Sequence, residues 1–147
     1  MRVKTYLTGL LSIFLLQCDN TRVDCATVSC IAQSLAIELV DADGTNLIEN
    51  GTYPIENIEV LKDENQVNQN SSDRAIFILL SGQRGNNTYQ IVLGNSEVDI
   101  LVLDLIQTGS DEGCCGPAFS INNATYNGRV IEIEIDEQLG QKITVLK

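Results

Sequence analysis

Apolar and polar residues alternate with a period of two along most of this chain. Leu35, Ile37 and Leu39 alternate with Ala36 and Glu38, and the run from Arg129 to Glu137 sets Ile131, Ile133 and Ile135 against Glu132, Glu134 and Asp136. Successive side chains of a strand point to opposite faces, so each run predicts a strand with one buried face. Ile58 with Val60, Tyr89 with Ile91 and Leu93, and Ile143 with Val145 predict three more. Ala75 to Leu80 and Val98 to Ile106 are apolar on both faces apart from Asp99 and Asp104, which reads as central strands.

Turn residues separate these runs. Asp43-Gly44, Gly51, Ser81-Gly82, Gly94-Asn95, Gly109, Gly113 and Asn127-Gly128 fall between them. The polar stretch from Lys62 to Asp73 reads as a long loop between strands, and no segment beyond the first eighteen residues has helical periodicity. The expectation is all-β: a single antiparallel β-sandwich of about seven to nine strands over residues 31–147, stapled by disulfides.

The first eighteen residues break the pattern. Arg2 and Lys4 precede an apolar run from Leu7 to Leu16, which ends at Gln17-Cys18 and turns polar at once with Asp19-Asn20-Thr21-Arg22. A basic start, a short apolar middle and a polar break are the layout of an export signal, and the run is shorter than the roughly 20 residues of a membrane span. With Leu15 three positions before Cys18, this stretch resembles the bacterial lipoprotein signal, in which the cysteine is acylated and becomes the first residue. Gln17 stands where that family usually has Gly, Ala or Ser.

The resemblance implies a signal peptide over 1–17, a lipid-anchored tether with the first cysteines over 18–30, and an address in the bacterial cell envelope, at the outer membrane. Its membrane partner would be reached through the lipid on Cys18, since stable attachment takes more than one hydrocarbon chain. The strand pattern is similar to the immunoglobulin-like or transthyretin-like sandwiches of exported proteins in Gram-negative bacteria, including Bacteroidota. The chain has no Trp, the core residue of true immunoglobulin domains.

Five cysteines are odd, but setting Cys18 aside leaves Cys25, Cys30, Cys114 and Cys115, an even set for an oxidising compartment. A Cys114–Cys115 bond would hold Cα atoms about 3.8 Å apart, too close for ordinary disulfide geometry. Cys25 and Cys30 are therefore each expected to pair with one of the adjacent two, in either order. The spacing is not that of zinc knuckles, and Asp111 and Glu112 oppose the lowered thiol pKa of a redox dithiol.

The composition narrows the function. The chain has 9 basic and 20 acidic residues, and loss of Arg2 and Lys4 with the signal would leave 7 basic, a net charge of −13. No nucleic-acid partner is expected, because phosphate needs a basic footprint. There is no histidine, so Ser-His-Asp and Cys-His designs are impossible. Carboxylate pairs remain, but Glu132 and Glu134 read as one solvated strand face.

Asp41, Asp43 and Asn46 around Gly44 offer hard oxygens to calcium, although the run is not an EF-hand and Asp-Gly hairpins without metal are commoner. Tyr53 and Tyr126 lie near turns, where exposed rings could serve a glycan partner, while Phe77 and Tyr89 are expected to face the core. Asn50, Asn70, Asn86 and Asn123 head Asn-x-Ser/Thr triplets and are read as turn composition.

The expected function is a noncatalytic, lipid-anchored envelope module, binding or structural, with a protein or glycan ligand. One alternative is a small carboxylate-dependent hydrolase, with calcium as cofactor, which a cleft of convergent acids would favour. Another is a subunit of a surface complex, which a broad exposed apolar patch would favour.

Overall fold

The alternation in Leu35, Ile37 and Leu39 becomes β1 (Ser34–Val40), where all three are fully buried. It pairs antiparallel with β5 (Ile76–Leu79) on one side and parallel with β11 (Gly140–Leu146) on the other. Short strands β10 (Glu134–Asp136) and β4 (Asn68–Gln69) complete that sheet, in the order β10-β11-β1-β5-β4. This computed structural model describes residues 25–30, 33–69, 72–94, 96–109 and 114–147.

The second sheet contains β2 (Ile58–Lys62), β3 (Asn65–Gln66), β6 (Gly85–Leu93), β7 (Glu97–Gln107), β8 (Phe119–Tyr126) and β9 (Arg129–Ile131). Its order is β3-β2-β6-β7-β8-β9, antiparallel throughout. The fold is thus all-β in two sheets, and seven of the eleven strands have four residues or more. The first sheet is mixed rather than purely antiparallel, because its β1–β11 pair joins the first and last strands and needs no short hairpin connection.

Inward residues of both sheets make one core. Leu35, Ile37, Ile76 and Ile143 meet Ile58, Tyr89, Ile91, Leu101 and Leu103 in a single cluster. Each such side chain contributes about 1.5–3 kcal/mol when fully buried. Tyr89 lies in that core as expected, whereas Phe77 does not: Ile76 and Ile78 take the inward positions of β5 and leave Phe77 half-buried on the outer side.

Two expected elements are divided differently. The run Arg129 to Glu137 is not one strand: β9 belongs to one sheet and β10 to the other, and Glu132-Ile133 carries the chain across. Ile131 and Ile133 pack against the core, but Ile135 on edge strand β10 is 79% exposed. The stretch after Lys62 is likewise not simply a loop. Asp63 and Glu64, both at positive φ, turn β3 back against β2, and β4 then joins the other sheet after Val67. Both side edges of each sheet are therefore linked covalently to the other sheet.

Strand β8 interrupts the period-two pattern with an extra residue. The register slips between Asp104 and Leu105, so that Asn123 pairs with Asp104 and Ile121 with Leu105. Asn122, the residue left over, donates its side-chain amide to Asp104 at 2.7 Å. On β7 the inward positions are buried, while Val98, Ile100 and Ile106 on the outer side are 37–53% exposed.

The cysteines lie at the end of the molecule where β7 gives way to β8. Cys25 bonds to Cys114 and Cys30 to Cys115, each with Cα atoms 5.3 Å apart. Both bridges join the segment before β1 to the β7–β8 connection, as the geometry of the adjacent pair requires. Residues 1–17, Cys18 and Asp111-Glu112 lie outside the described residues.

Candidate functional site

At the opposite end of the sheets a polar cluster sits inside the core wall. Asp99 shares the strand parity of Leu101, Leu103 and Leu105, so β7 points its carboxylate inward, where it is 5% exposed. A buried carboxylate must be paired and hydrogen-bonded to remain charged. Here Tyr126 at the end of β8 donates its hydroxyl to Asp99 Oδ2 at 2.7 Å, and Asn127 in the following turn donates Nδ2 to Oδ1 at 2.7 Å.

Asn127 sits at positive φ ahead of Gly128, the two-residue turn that the sequence announces. Its Oδ1 accepts the Ile100 N–H at 2.8 Å, which ties this turn to β7.

The cation comes from the end of β11. The Lys147 N–H donates to the Val40 carbonyl at 2.9 Å, extending the parallel pairing, and its ammonium is held between Asp99 and Glu97. The Tyr53 hydroxyl donates to Glu97 Oε2 at 2.8 Å, and the Tyr53 ring centroid lies 5.9 Å from Lys147 Nζ. Tyr53 is positioned by its N–H, which donates to the Leu47 carbonyl at 2.8 Å.

These bonds fix the charge states. Burial raises the Asp99 pKa, but donors from Asn127, Lys147 and Tyr126 outweigh it and hold Asp99 below its ordinary value. Glu97 is also lowered, chiefly by Lys147 and then by Tyr53. For Lys147, burial acts downward and the two carboxylates win, leaving it raised. Tyr126 is pushed strongly upward by burial and by its bond to Asp99.

The cluster floors a cleft of about 620 Å3 between β9 and the end of β11, within the range of roughly 300–1,000 Å3 of ligand sites. Tyr126, Ile131 and Val145 line its interior, and Val130 and Leu146, 75% and 68% exposed, form its rim. Arg129 also lines it. Among the described residues Arg129 is the one basic side chain without a hydrogen bond or ion pair, in a chain with 20 acidic residues. By contrast Arg74 and Lys142 both bind Glu38, at 3.0 and 3.1 Å.

The residues singled out from sequence fall elsewhere, except the tyrosines. Asp41 Oδ1 accepts the N–H groups of Asp43 and Thr45, each at 2.9 Å, and Asn46 Oδ1 accepts those of Ile48 and Glu49. Their geometry is that of a hydrogen-bonded turn. Among the described residues no group of three His, Cys, Asp or Glu side chains is placed to hold a metal. Tyr126 is 6% exposed, so it is not the open ring a glycan platform needs, and only Tyr53 is partly open to the cleft.

Sequence reasoning missed Asp99 and Lys147. Asp99 was detectable by phase, because it occupies the inward parity of a leucine row. Comparison with known protein families, curated proteins and solved structures finds no match for this chain.

Proposed function

We propose that this chain is a noncatalytic binding module of the bacterial cell envelope, held to the outer membrane by a lipid on Cys18. One observation carries the reading: the two disulfides consume Cys25, Cys30, Cys114 and Cys115, leaving Cys18, at the end of the apolar run, as the single remaining cysteine. We take the two sheets as a sandwich of the immunoglobulin-like or transthyretin-like kind.

The arrangement suits display. Six residues, Asp19 to Asp24, separate Cys18 from Cys25, a reach of about 20 Å. The bridged end would stay near the membrane, while the cleft lies the length of eleven-residue β7 away, about 35 Å.

The hydrolase alternative finds one acid, Glu97, lining this cleft and a second, Asp99, buried beneath it, and neither is poised as a proton donor. A general acid needs a raised pKa, whereas Glu97 and Asp99 are both lowered and share Lys147. Their role in this reading is to brace the cleft floor.

The test is detergent partition of the chain expressed in a Gram-negative host. The native protein is expected in the detergent phase and Cys18→Ser in the aqueous phase; equal partition of the two would refute the anchor.

A further inference from the structure

Strand parity places a cation on an apolar wall of the cleft. Residues paired across strands share a face, and β9 sets Arg129 opposite Tyr126 and Ile131 opposite Ala124. Tyr126 and Ala124 are buried, so Arg129 holds an inward position, where the neighbouring residues are apolar. It lines the cleft together with Tyr126, Ile131 and Val145.

Arg129 also lacks a counter-ion. Among the described residues the other five basic side chains are bonded: Lys62 to Asn87, Arg74 and Lys142 to Glu38, Arg84 to Gln107, and Lys147 to Glu97 and Asp99. Glu97, the acid that lines the cleft, is engaged by Lys147 and by the Tyr53 hydroxyl. The Arg129 guanidinium is therefore open to an anion from outside the chain.

The shape of the cleft limits that anion to a small molecule. Cα atoms of β9 and β11 come within 8 Å of each other, and no ladder joins the two strands. A peptide strand bonded to both would need roughly 9.6 Å between them, so strand addition does not fit. The open volume of about 620 Å3 is that of a small-ligand site.

Charge and polarity select the class. Lys147 offsets one of the two floor carboxylates, so the floor keeps a negative charge of its own. That charge opposes a phosphate dianion more strongly than a monoanion. The Asn127 amide and the Tyr53 hydroxyl are already bonded, which leaves few partners for the hydroxyls of a sugar. Ile131 and Val145, with Val130 and Leu146 at the rim, offer aliphatic surface instead.

We propose that the cleft binds a small carboxylic acid with an aliphatic body, of the medium-chain fatty acid kind, its carboxylate paired with Arg129 and its chain laid against Ile131 and Val145. This deepens the reading of the chain as a noncatalytic binding module and rests on it. It makes no use of Cys18, and binding is measured without a membrane, so loss of this ligand and loss of the lipid anchor are separate results.

Butyrate, hexanoate and octanoate are titrated into the disulfide-bonded protein while the methyl resonances of Ile131 and Val145 are followed. Saturable binding is expected, tightening by up to about fourfold for each buried methylene. Octanamide, which keeps the chain and loses the charge, should bind about tenfold more weakly than octanoate. Arg129→Gln, at an exposed and unpaired position, should weaken octanoate about tenfold and leave octanamide unchanged. The proposal is overturned if no acid saturates, if chain length or Arg129→Gln makes no difference, if octanamide binds equally, if glucuronate or phenyl phosphate binds more tightly than octanoate, or if the shifts fall on the outer face of β7.

Discussion

Asp99 is where a single residue departs most from its surroundings. A carboxylate in a leucine row is tolerated because Tyr126, Asn127 and Lys147 together satisfy it. Replacing it by Asn removes the charge but keeps the shape, leaving the Lys147 ammonium with Glu97 alone. Because Lys147 keeps Glu97, the cost is that of losing one partner, about 1–3 kcal/mol, so Asp99→Asn is expected to lower the urea midpoint at pH 7.

The pH profile of stability follows from the same groups. Asp99 and Glu97 are lowered by folding, so their contribution is present above the ordinary carboxylate range near pH 4 and is lost as pH falls through the folded values. Lys147 and Tyr126 are raised, so theirs is full below about pH 10 and is lost as pH rises further. Urea unfolding between pH 2 and 11 should give a plateau from about pH 5 to 9. Asp99→Asn should shrink the acid limb; an unchanged limb and midpoint would show that the cluster does not stabilise the fold.

At the scale of elements, strands with one clean alternation were legible and those that change sheets were not. β1, β2, β6 and β11 lie where Leu35 to Leu39, Ile58 to Val60, Tyr89 to Leu93 and Ile143 to Val145 place them. The run Arg129 to Glu137 alternates as cleanly, yet period two records only which face a residue takes and not which sheet the strand joins. β8 was hidden by its bulge, since Asn122 and Asn123 shift the phase between Ile121 and Ala124. β3 and β4 were hidden by a turn through Asp63 and Glu64, which lacks the glycine that usually marks positive φ. The cleft was illegible for the same reason: it forms where two strands from distant segments diverge.

The paired disulfides give an element-scale prediction. They close nearly the same loop, with separations of 89 and 85 residues, so with one intact the other closes only a short ring. The chain-entropy relation then gives about 2.5 kcal/mol for removing either bridge as a Cys→Ser pair, and about 7 kcal/mol for removing both. Calibrated urea unfolding of the three variants checks this. Single removals that each cost as much as the double would contradict the shared-loop account.

For the whole molecule, the bridges and the cleft occupy opposite ends of the two sheets, with a common core between them. That polarity gives the proposed anchor its sense: one end is fastened and the other is presented. A net acidic chain is repelled by anionic headgroups, so the proposed attachment would rest on the lipid rather than on charge. The claim on which the account depends is that Cys18 is the modified first residue while the other four cysteines are bridged. Intact-mass spectrometry of the protein from envelope membranes, alkylated before and after reduction, tests both halves at once. The account predicts a chain beginning at Cys18 and carrying acyl mass, with no alkylation before reduction and four alkyl groups after it; a free Cys18 that alkylates without reduction would contradict it.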